Sequence, residues 1–172
     1  DFINVVSFSE SVEDLGAVVD SLKELKIDYH IIPSFSSIDD IKAASRAKAT
    51  VVLNPEEGEY LAKELEEVFD VPYIASEAPI GFRGTKNFLL KLATFLGIED
   101  RAIEYVDEVE AELTKSLSKD ALDGKNIFVD ASFSKIPALT RFLKYLGGTV
   151  VGIGSPFIDL ENKKQLSKLD FL

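Results

Sequence analysis

Short apolar runs rich in β-branched residues alternate with amphipathic segments along the first half of the chain, and this alternation most constrains the fold. Such runs predict buried strands, because strands covered on both faces are nearly continuously apolar. Short connections between strand and helix are typical of a parallel sheet with helices on both faces and right-handed crossovers. The sequence therefore predicts an α/β fold, a parallel-sheet, Rossmann-like, three-layer αβα unit over residues 1–98. Its four parallel strands are expected at 3–8, 27–34, 49–54 and 71–76.

The pattern changes after residue 98. Residues 99–123 are charged and amphipathic and predict a long connecting helix. The apolar runs "IFVDAS" and "TVVGIGSPF" then flank the helical segment "IPALTRFLKYLGG", which predicts the strand–helix–strand start of a second unit. We therefore divide the chain into a first unit, a connecting helix and a partial second Rossmann-like unit over residues 124–172.

Composition excludes several classes of function. Thirty acidic and nineteen basic residues give a formal net charge of −11, which is a poor match for a phosphate backbone, so nucleic-acid binding is not expected. No apolar run is long enough to span a bilayer and no signal-peptide pattern is present, so we expect a cytoplasmic protein that makes no membrane contact. The chain contains no cysteine, so it cannot by itself build disulfides or thiolate-ligated clusters. Because the first residues run directly into a strand, we expect a fragment of a longer protein.

The stretch "EAPIGFRGTKNF" at residues 77–88 lies between an apolar strand and an apolar helix. Its spacing matches neither a P-loop nor a dinucleotide-binding fingerprint, so nucleotide binding is weakly supported. Open α/β sheets place ligands after a parallel strand, and free N–H groups at a helix start favour anions. Arg83 could clamp a carboxylate there. Turn chemistry alone is the favoured explanation of the other residues, with Thr85 as the helix cap and the glycines permitting the bend.

Other polar residues support weaker hypotheses. Asn54 ends the third predicted strand and is expected to point out at the carboxyl edge of the sheet. Glu56 and Glu57 follow it and are interpreted as solvated charges at a helix entry. His30 lies within a predicted strand and is interpreted as a hydrogen-bonded structural residue, because a lone strand histidine cannot form a histidine-rich metal site. We expect no metal ligand within the chain.

Several stretches, taken in order, resemble the nitrogenase component 1 superfamily over residues 3–157. The first is "ASRAKATVVLNPEEGEYLAKELEEVFDVPYI", followed by "APIGFRGTKNFLLKLATFLGI". The long acidic helix and "LDGKNIFVDASFSKIPALTRFLKYLGGTVVGIGSP" complete the series. Each motif is loose, whereas their order and spacing are fairly specific.

This resemblance implies a subunit of a multi-electron reductase that receives electrons from an ATP-dependent iron–sulfur reductase protein. It implies the middle and part of the last of three Rossmann-like domains, and a homologous component 1 subunit as a partner. An iron–sulfur cluster is expected in the full-length complex, with its cysteines upstream of residue 1, and no cofactor is expected to be bound by this fragment alone.

The resemblance also implies a pocket for a metal cofactor or a tetrapyrrole substrate. Its lining residues would be Asn54, Pro79, Gly81, Arg83 and Thr85. Asn54 stands where some relatives have a cysteine that ligates a metal cofactor, and a neutral amide replaces thiolate poorly on iron. The stretch over residues 124–156 looks closer to the tetrapyrrole-reducing branch of the family, or to an uncharacterised branch. Under that resemblance the pocket would hold a large planar substrate, whose propionates suit Arg83. Two alternatives remain open, namely a non-redox module that binds a metal chelate or small anion, and a sugar-nucleotide enzyme.

Overall fold

The computed structural model describes residues 1–156, which form two compact units. The first unit comprises Asp1–Ser76 and Asn87–Tyr105. The second comprises Glu77–Lys86 and the described residues from Val106 onward. The "EAPIGFRGTK" stretch therefore belongs to the second unit, although it follows the sheet of the first along the chain. The predicted three-part division at residues 98 and 123 stays a prediction.

A three-stranded parallel sheet forms the centre of the first unit. Its strands are β1 (Phe2–Ser7), β2 (Asp28–Pro33) and β3 (Thr50–Val52), in the order β2-β1-β3. The central strand is almost wholly buried, as its apolar run predicts. The α/β class and parallel pairing expected from the sequence are confirmed.

The fourth expected strand, at 71–76, is reduced to a single parallel bridge between Thr50 and Tyr73. The amide of Thr50 donates to the Pro72 carbonyl at 2.8 Å, and the amide of Ile74 donates to the Thr50 carbonyl at 2.9 Å. Pro72 has no amide hydrogen, so it cannot donate the next hydrogen bond that would extend the pairing with β3 toward its N-terminal end. Val71 and Ile74 are buried, but the run does not continue as a strand.

Three helices of the first unit follow its strands, namely α1 (Val12–Glu24), α2 (Ile38–Ala44) and α3 (Pro55–Phe69). The apolar faces of α2 and α3 contribute to a core with all three strands. Gly58 of α3 lies so close to the sheet that an added Cβ would be 2.7 Å from side-chain atoms of both Val6 and Val52. The contact allows no side chain at this position without movement of its neighbours.

A capping box begins α2. The Ser37 hydroxyl accepts from the Asp40 amide at 3.2 Å, and the Asp40 carboxylate accepts from the Ser37 amide at 2.8 Å. Hydrogen bonds from the Ser37 side chain and backbone lower the pKa of Asp40 below its ordinary value of 3.8. A depressed folded-state pKa contributes stability above pH 3.8 that is lost as pH falls through the folded value.

Substitution Ser37→Ala should therefore raise the pKa of Asp40 back toward 3.8, because the hydroxyl donor is lost. Carboxyl carbon chemical shifts followed by NMR during an acid titration measure this change. Ser36→Ala is the control, since the Ser36 hydroxyl donates to the Pro33 carbonyl and makes no contact with Asp40. An unchanged Asp40 titration in Ser37→Ala would contradict the assignment of the cap.

Two long helices contribute residues to both units. Helix α4 spans Gly81–Leu96 and ends at Gly97, whose φ of +69° confirms the expected C-terminal glycine. Helix α5 spans Glu99–Ser116, shorter than the expected 99–123. The hydroxyls of Thr114 and Ser116 donate to carbonyls of the preceding turn, and such bonds compete with helix continuation.

The second unit contains a two-stranded parallel sheet formed by β4 (Asn126–Asp130) and β5 (Thr149–Gly154). A short 3-10 helix at Phe133–Lys135 leads into α6 (Ile136–Tyr145), which connects the two strands as predicted. Val129, Phe133, Ile136 and Val150 form the buried core. The end of the expected second unit, 157–172, lies outside the described residues.

Candidate anion-binding segment

The candidate site is built on Glu77–Lys86, which we call the site segment. Ile80 donates its amide to the Ala78 carbonyl at 2.8 Å, so the chain turns sharply before α4 begins at Gly81. Gly81 has a φ of +64°, in the left-handed region that favours glycine. The predicted turn is therefore only the first part of this segment, and its second part is helix.

The hypothesis that Thr85 caps the helix is wrong. Thr85 is the fifth residue of α4, and Gly84 also lies inside the helix. An added Cβ on Gly84 would be 2.6 Å from the Ala78 carbonyl oxygen. Because glycine has a low helix propensity, two glycines at this position predict a loop from the sequence. In the structure both belong to α4, where neighbouring atoms leave no space for a side chain.

Arg83 lies in the first turn of α4 and is exposed. Within residues 1–156 it forms no ion pair, and the first turn of α4 contains no acidic residue. The amides at a helix start carry partial positive charge, so an arginine placed there adds to a positive potential. Pro79 lies two residues before the start of α4 and is half-buried. The segment is thus suited to bind an anion, and the role of Arg83 in binding one stays a prediction.

Asn54 belongs to the first unit and is buried, with 2% exposure, which differs from the expected outward position. It is the residue before α3, but its side chain makes no capping bond. Its Nδ2 instead donates to the Ser9 hydroxyl at 3.0 Å, in the loop after β1. The amide therefore joins two loops at the carboxyl edge of one sheet. Glu56 and Glu57 are exposed in the first turn of α3.

The described residues offer no cluster of three His, Asp or Glu side chains that could hold a metal ion. His30 lies 4.0 Å from the Asp40 carboxylate and makes an edge contact with the Phe2 ring. Both contacts are consistent with a structural role for this histidine. In the part of the chain from 1 to 156, no helix has the length and apolar character needed to cross a membrane.

Residues of α6 that contact the site segment were not recognised from the sequence. Glu77 forms an ion pair with Arg141, and Phe82 contacts the rings of Phe142 and Tyr145. The sequence feature that could have indicated them is a second set of residues at helical spacing on α6, on a face that does not pack against the β4–β5 sheet. It could be interpreted only with knowledge of which segment lies against it.

Comparison with solved structures defines the class of fold. The chain superposes on a structure described as "Nitrogenase Cp1 at pH 6.5" with a TM-score of 0.80 and 21% identity. The match covers 97% of this chain and 41% of that chain. A second structure, "Nitrogenase Cp1 at pH 5", matches with the same TM-score, 19% identity and coverage of 98% and 38%. The parallel α/β architecture is therefore shared with nitrogenase proteins.

Residues 1–170 match the family described as "Nitrogenase component 1 type Oxidoreductase". The chain belongs to this family. It is 34% identical over 163 residues to the "Nitrogenase iron-molybdenum cofactor biosynthesis protein NifE" of Clostridium pasteurianum, covering 90% of this chain and 35% of the relative. It is 31% identical over 145 residues to a subunit of the light-independent protochlorophyllide reductase of Synechococcus sp. (strain RCC307), covering 83% and 27%.

The chain thus spans about a third of the length of the first of these curated relatives and about a quarter of the second. The family resemblance drawn from the order of sequence motifs is confirmed. The relatives include both a cofactor-biosynthesis protein and a pigment reductase subunit, so membership of the family leaves the substrate to be argued from the site.

Proposed function

We propose that this chain is a domain of a component 1-type oxidoreductase subunit and forms part of the substrate pocket of an ATP-dependent, multi-electron reductase complex. The observation that carries the proposal is Arg83, an exposed arginine in the first turn of α4 with no acidic residue in that turn. We infer that the bound molecule is a tetrapyrrole whose carboxylate is recognised by Arg83.

Charge and geometry both support an anionic ligand. A guanidinium donates two parallel hydrogen bonds to a carboxylate, and the amides of the helix start attract the same charge. Pro79, Gly81 and Thr85 lie in or directly beside this helix start and are proposed to line the pocket with Arg83.

The residues of this chain do not fit an iron–sulfur cluster or a thiolate-held metal cofactor. The sequence contains no cysteine. At the third strand, the buried Asn54 presents an amide whose Nδ2 already donates to Ser9. Asn54 belongs to the first unit, and its role in binding stays a prediction of the family resemblance. A cluster in the full-length complex would be held by other parts of the protein or by a homologous component 1 subunit.

We therefore infer that substrate binding and electron supply are performed by different parts of the complex. The chain binds and orients the substrate, whereas a cluster elsewhere supplies electrons that an ATP-dependent iron–sulfur reductase protein delivers. Anaerobic purification of the full-length protein with its partners, followed by iron and sulfide analysis, tests this division. Purified protein that lacks iron and sulfide would instead support a non-redox module that binds chelates or anions, which the cysteine-free sequence of this chain also permits.

Replacing Arg83 by alanine in the full-length complex should weaken binding of the dicarboxylate mesoporphyrin about tenfold. The estimate follows from the loss of one charge-assisted hydrogen-bonded contact, worth about 1.5 kcal/mol. Binding of mesoporphyrin dimethyl ester should change less than about twofold, because its propionates carry no charge. Fluorescence titration measures both affinities.

Lys86→Ala is the matched control. It removes the same charge from the same helix, but the Lys86 Nζ is already held by the Asp107 carboxylate at 3.1 Å. This variant should bind both porphyrins as the unmodified protein does. Arg83→Ala protein that retains full affinity for mesoporphyrin would refute the proposed role of Arg83.

A further inference from the structure

Helix α6 has two differently used faces. Ile136, Leu139 and Leu143 pack into the core of the β4–β5 sheet. The second face is formed by residues at positions i, i+3, i+4 and i+7 of the helix, which lie side by side on an α-helix. These residues are Ala138, Arg141, Phe142 and Tyr145, and they lie against the site segment within the second unit.

An ion pair ties the start of the site segment to this second face. The Arg141 guanidinium pairs with the Glu77 carboxylate, and the two side chains are only 34% and 24% exposed. The Arg141 guanidinium is partly removed from water, and this burial lowers the pKa of Arg141. Loss of Arg141 would remove one charged contact of the partly buried Glu77, so the pair contributes to the position of Glu77.

Aromatic packing ties the helical part of the site segment to the same face. The Phe82 ring meets Phe142 edge-on at 6.2 Å and Tyr145 at 5.3 Å between ring centroids. An added Cβ on Gly81 would be 2.7 Å from Phe142 Cδ2, so the ring lies directly against the Gly81 backbone. Close packing of this kind allows few alternative conformations.

We propose that Arg141 and Phe142 are positioning residues, which hold the site segment so that the neighbouring Arg83 is oriented to bind the carboxylate of a tetrapyrrole. Neither residue is proposed to touch the substrate. The part of this inference that concerns ligand binding rests on the proposed function, whereas the part that concerns the conformation of the site segment does not. The two parts therefore need separate measurements.

Hydrogen–deuterium exchange of the full-length protein without ligand tests the conformational part. In Arg141→Met, the hydrogen-bonded backbone amides of Ile80, Thr85 and Lys86 should exchange about tenfold faster, because the segment loses a charged attachment. Glu77→Gln removes the charge of the other partner at nearly constant shape and should act in the same direction. Lys125→Met is the control, since it removes an exposed cation from the same unit. Unchanged exchange in both Arg141→Met and Glu77→Gln would overturn the proposal.

Mesoporphyrin binding to the same variants tests the link to Arg83. Arg141→Met should weaken mesoporphyrin binding about fivefold when Arg83 is present, and less than about twofold when Arg83 is already alanine. Binding of the dimethyl ester should be unchanged. If Arg141 had only a structural role, Arg141→Met would weaken binding of mesoporphyrin and of its dimethyl ester equally. That outcome would overturn the proposal that Arg141 acts through Arg83.

The double substitution Glu77→Arg with Arg141→Glu restores an ion pair in reverse. Recovery of both slow exchange and mesoporphyrin affinity would support the pair as the positioning contact. If Arg83→Ala alone leaves mesoporphyrin binding unchanged, the proposed function fails, and the exchange data still decide whether Arg141 holds the segment. Failure of the function and failure of the positioning inference are thus distinguished.

Discussion

Replacing Gly81 by alanine should lower the free energy of unfolding by about 3 kcal/mol, the largest effect expected at the site segment. Two costs add at this residue. Alanine is strained at a φ of +64°, which costs about 1 kcal/mol. The added methyl group would also be 2.7–2.9 Å from atoms of the Phe142 side chain, and overpacking of this kind costs about 1–3 kcal/mol. Urea denaturation followed by circular dichroism measures the total.

Gly97→Ala separates the two costs. Gly97 has a similar φ of +69°, but nothing lies within 4 Å of an added Cβ. Its substitution should cost only the backbone strain, about 1 kcal/mol. Combining Gly81→Ala with Phe142→Ala should then recover part of the packing cost, so the two effects should not be additive. Equal destabilisation by Gly81→Ala and Gly97→Ala would show that Phe142 does not pack against Gly81.

Replacing Gly58 by alanine should lower the free energy of unfolding by about 2 kcal/mol. The new methyl group would be 2.7 Å from Cγ1 atoms of Val6 and Val52, both of which are buried in strands. Because strand side chains in a close-packed core cannot move freely, α3 would have to shift away from the sheet. The gain of about 1 kcal/mol that alanine brings to a helix interior offsets only part of this cost.

Gly16→Ala makes the same chemical change in another helix of the same unit. Gly16 lies within α1 and has nothing within 4 Å of an added Cβ. Its substitution should therefore stabilise the protein by about 0.5–1 kcal/mol through helix propensity alone. Opposite signs for the two glycines, measured by the same urea titration, would confirm the close approach of α3. Stabilisation by both substitutions would contradict it.

These packing predictions bear on the proposed function because Gly81 is part of the helix start that carries Arg83. A substitution at Gly81 should disturb the orientation of the site segment as well as stability. Gly97→Ala changes the end of α4, where nothing lies within 4 Å of an added Cβ. Mesoporphyrin affinity should therefore fall more for Gly81→Ala than for Gly97→Ala.

The local pattern of the sequence determined the α/β class, the order of the elements and the family. Apolar runs placed β1 and β5, because strands covered on both faces are nearly continuously apolar. Apolar residues at helical spacing placed α1, because burial of one helix face imposes a period of 3.6 residues. Chain order also placed Arg83 beside a helix start. These features depend on residues that are close along the chain, and a single sequence contains that information directly.

Only the tertiary structure decided where α4 begins and what holds it. Glycine has a low helix propensity, yet Gly81 and Gly84 belong to α4. Glycine is needed at both positions because Phe142 of α6 and the Ala78 carbonyl leave no room for a side chain. The ion pair of Glu77 with Arg141 joins residues that are 64 positions apart in the sequence. Contacts between residues so far apart in the chain produce no periodic pattern in the sequence. The burial of Asn54 and the packing of the second face of α6 could therefore be seen only in the folded structure.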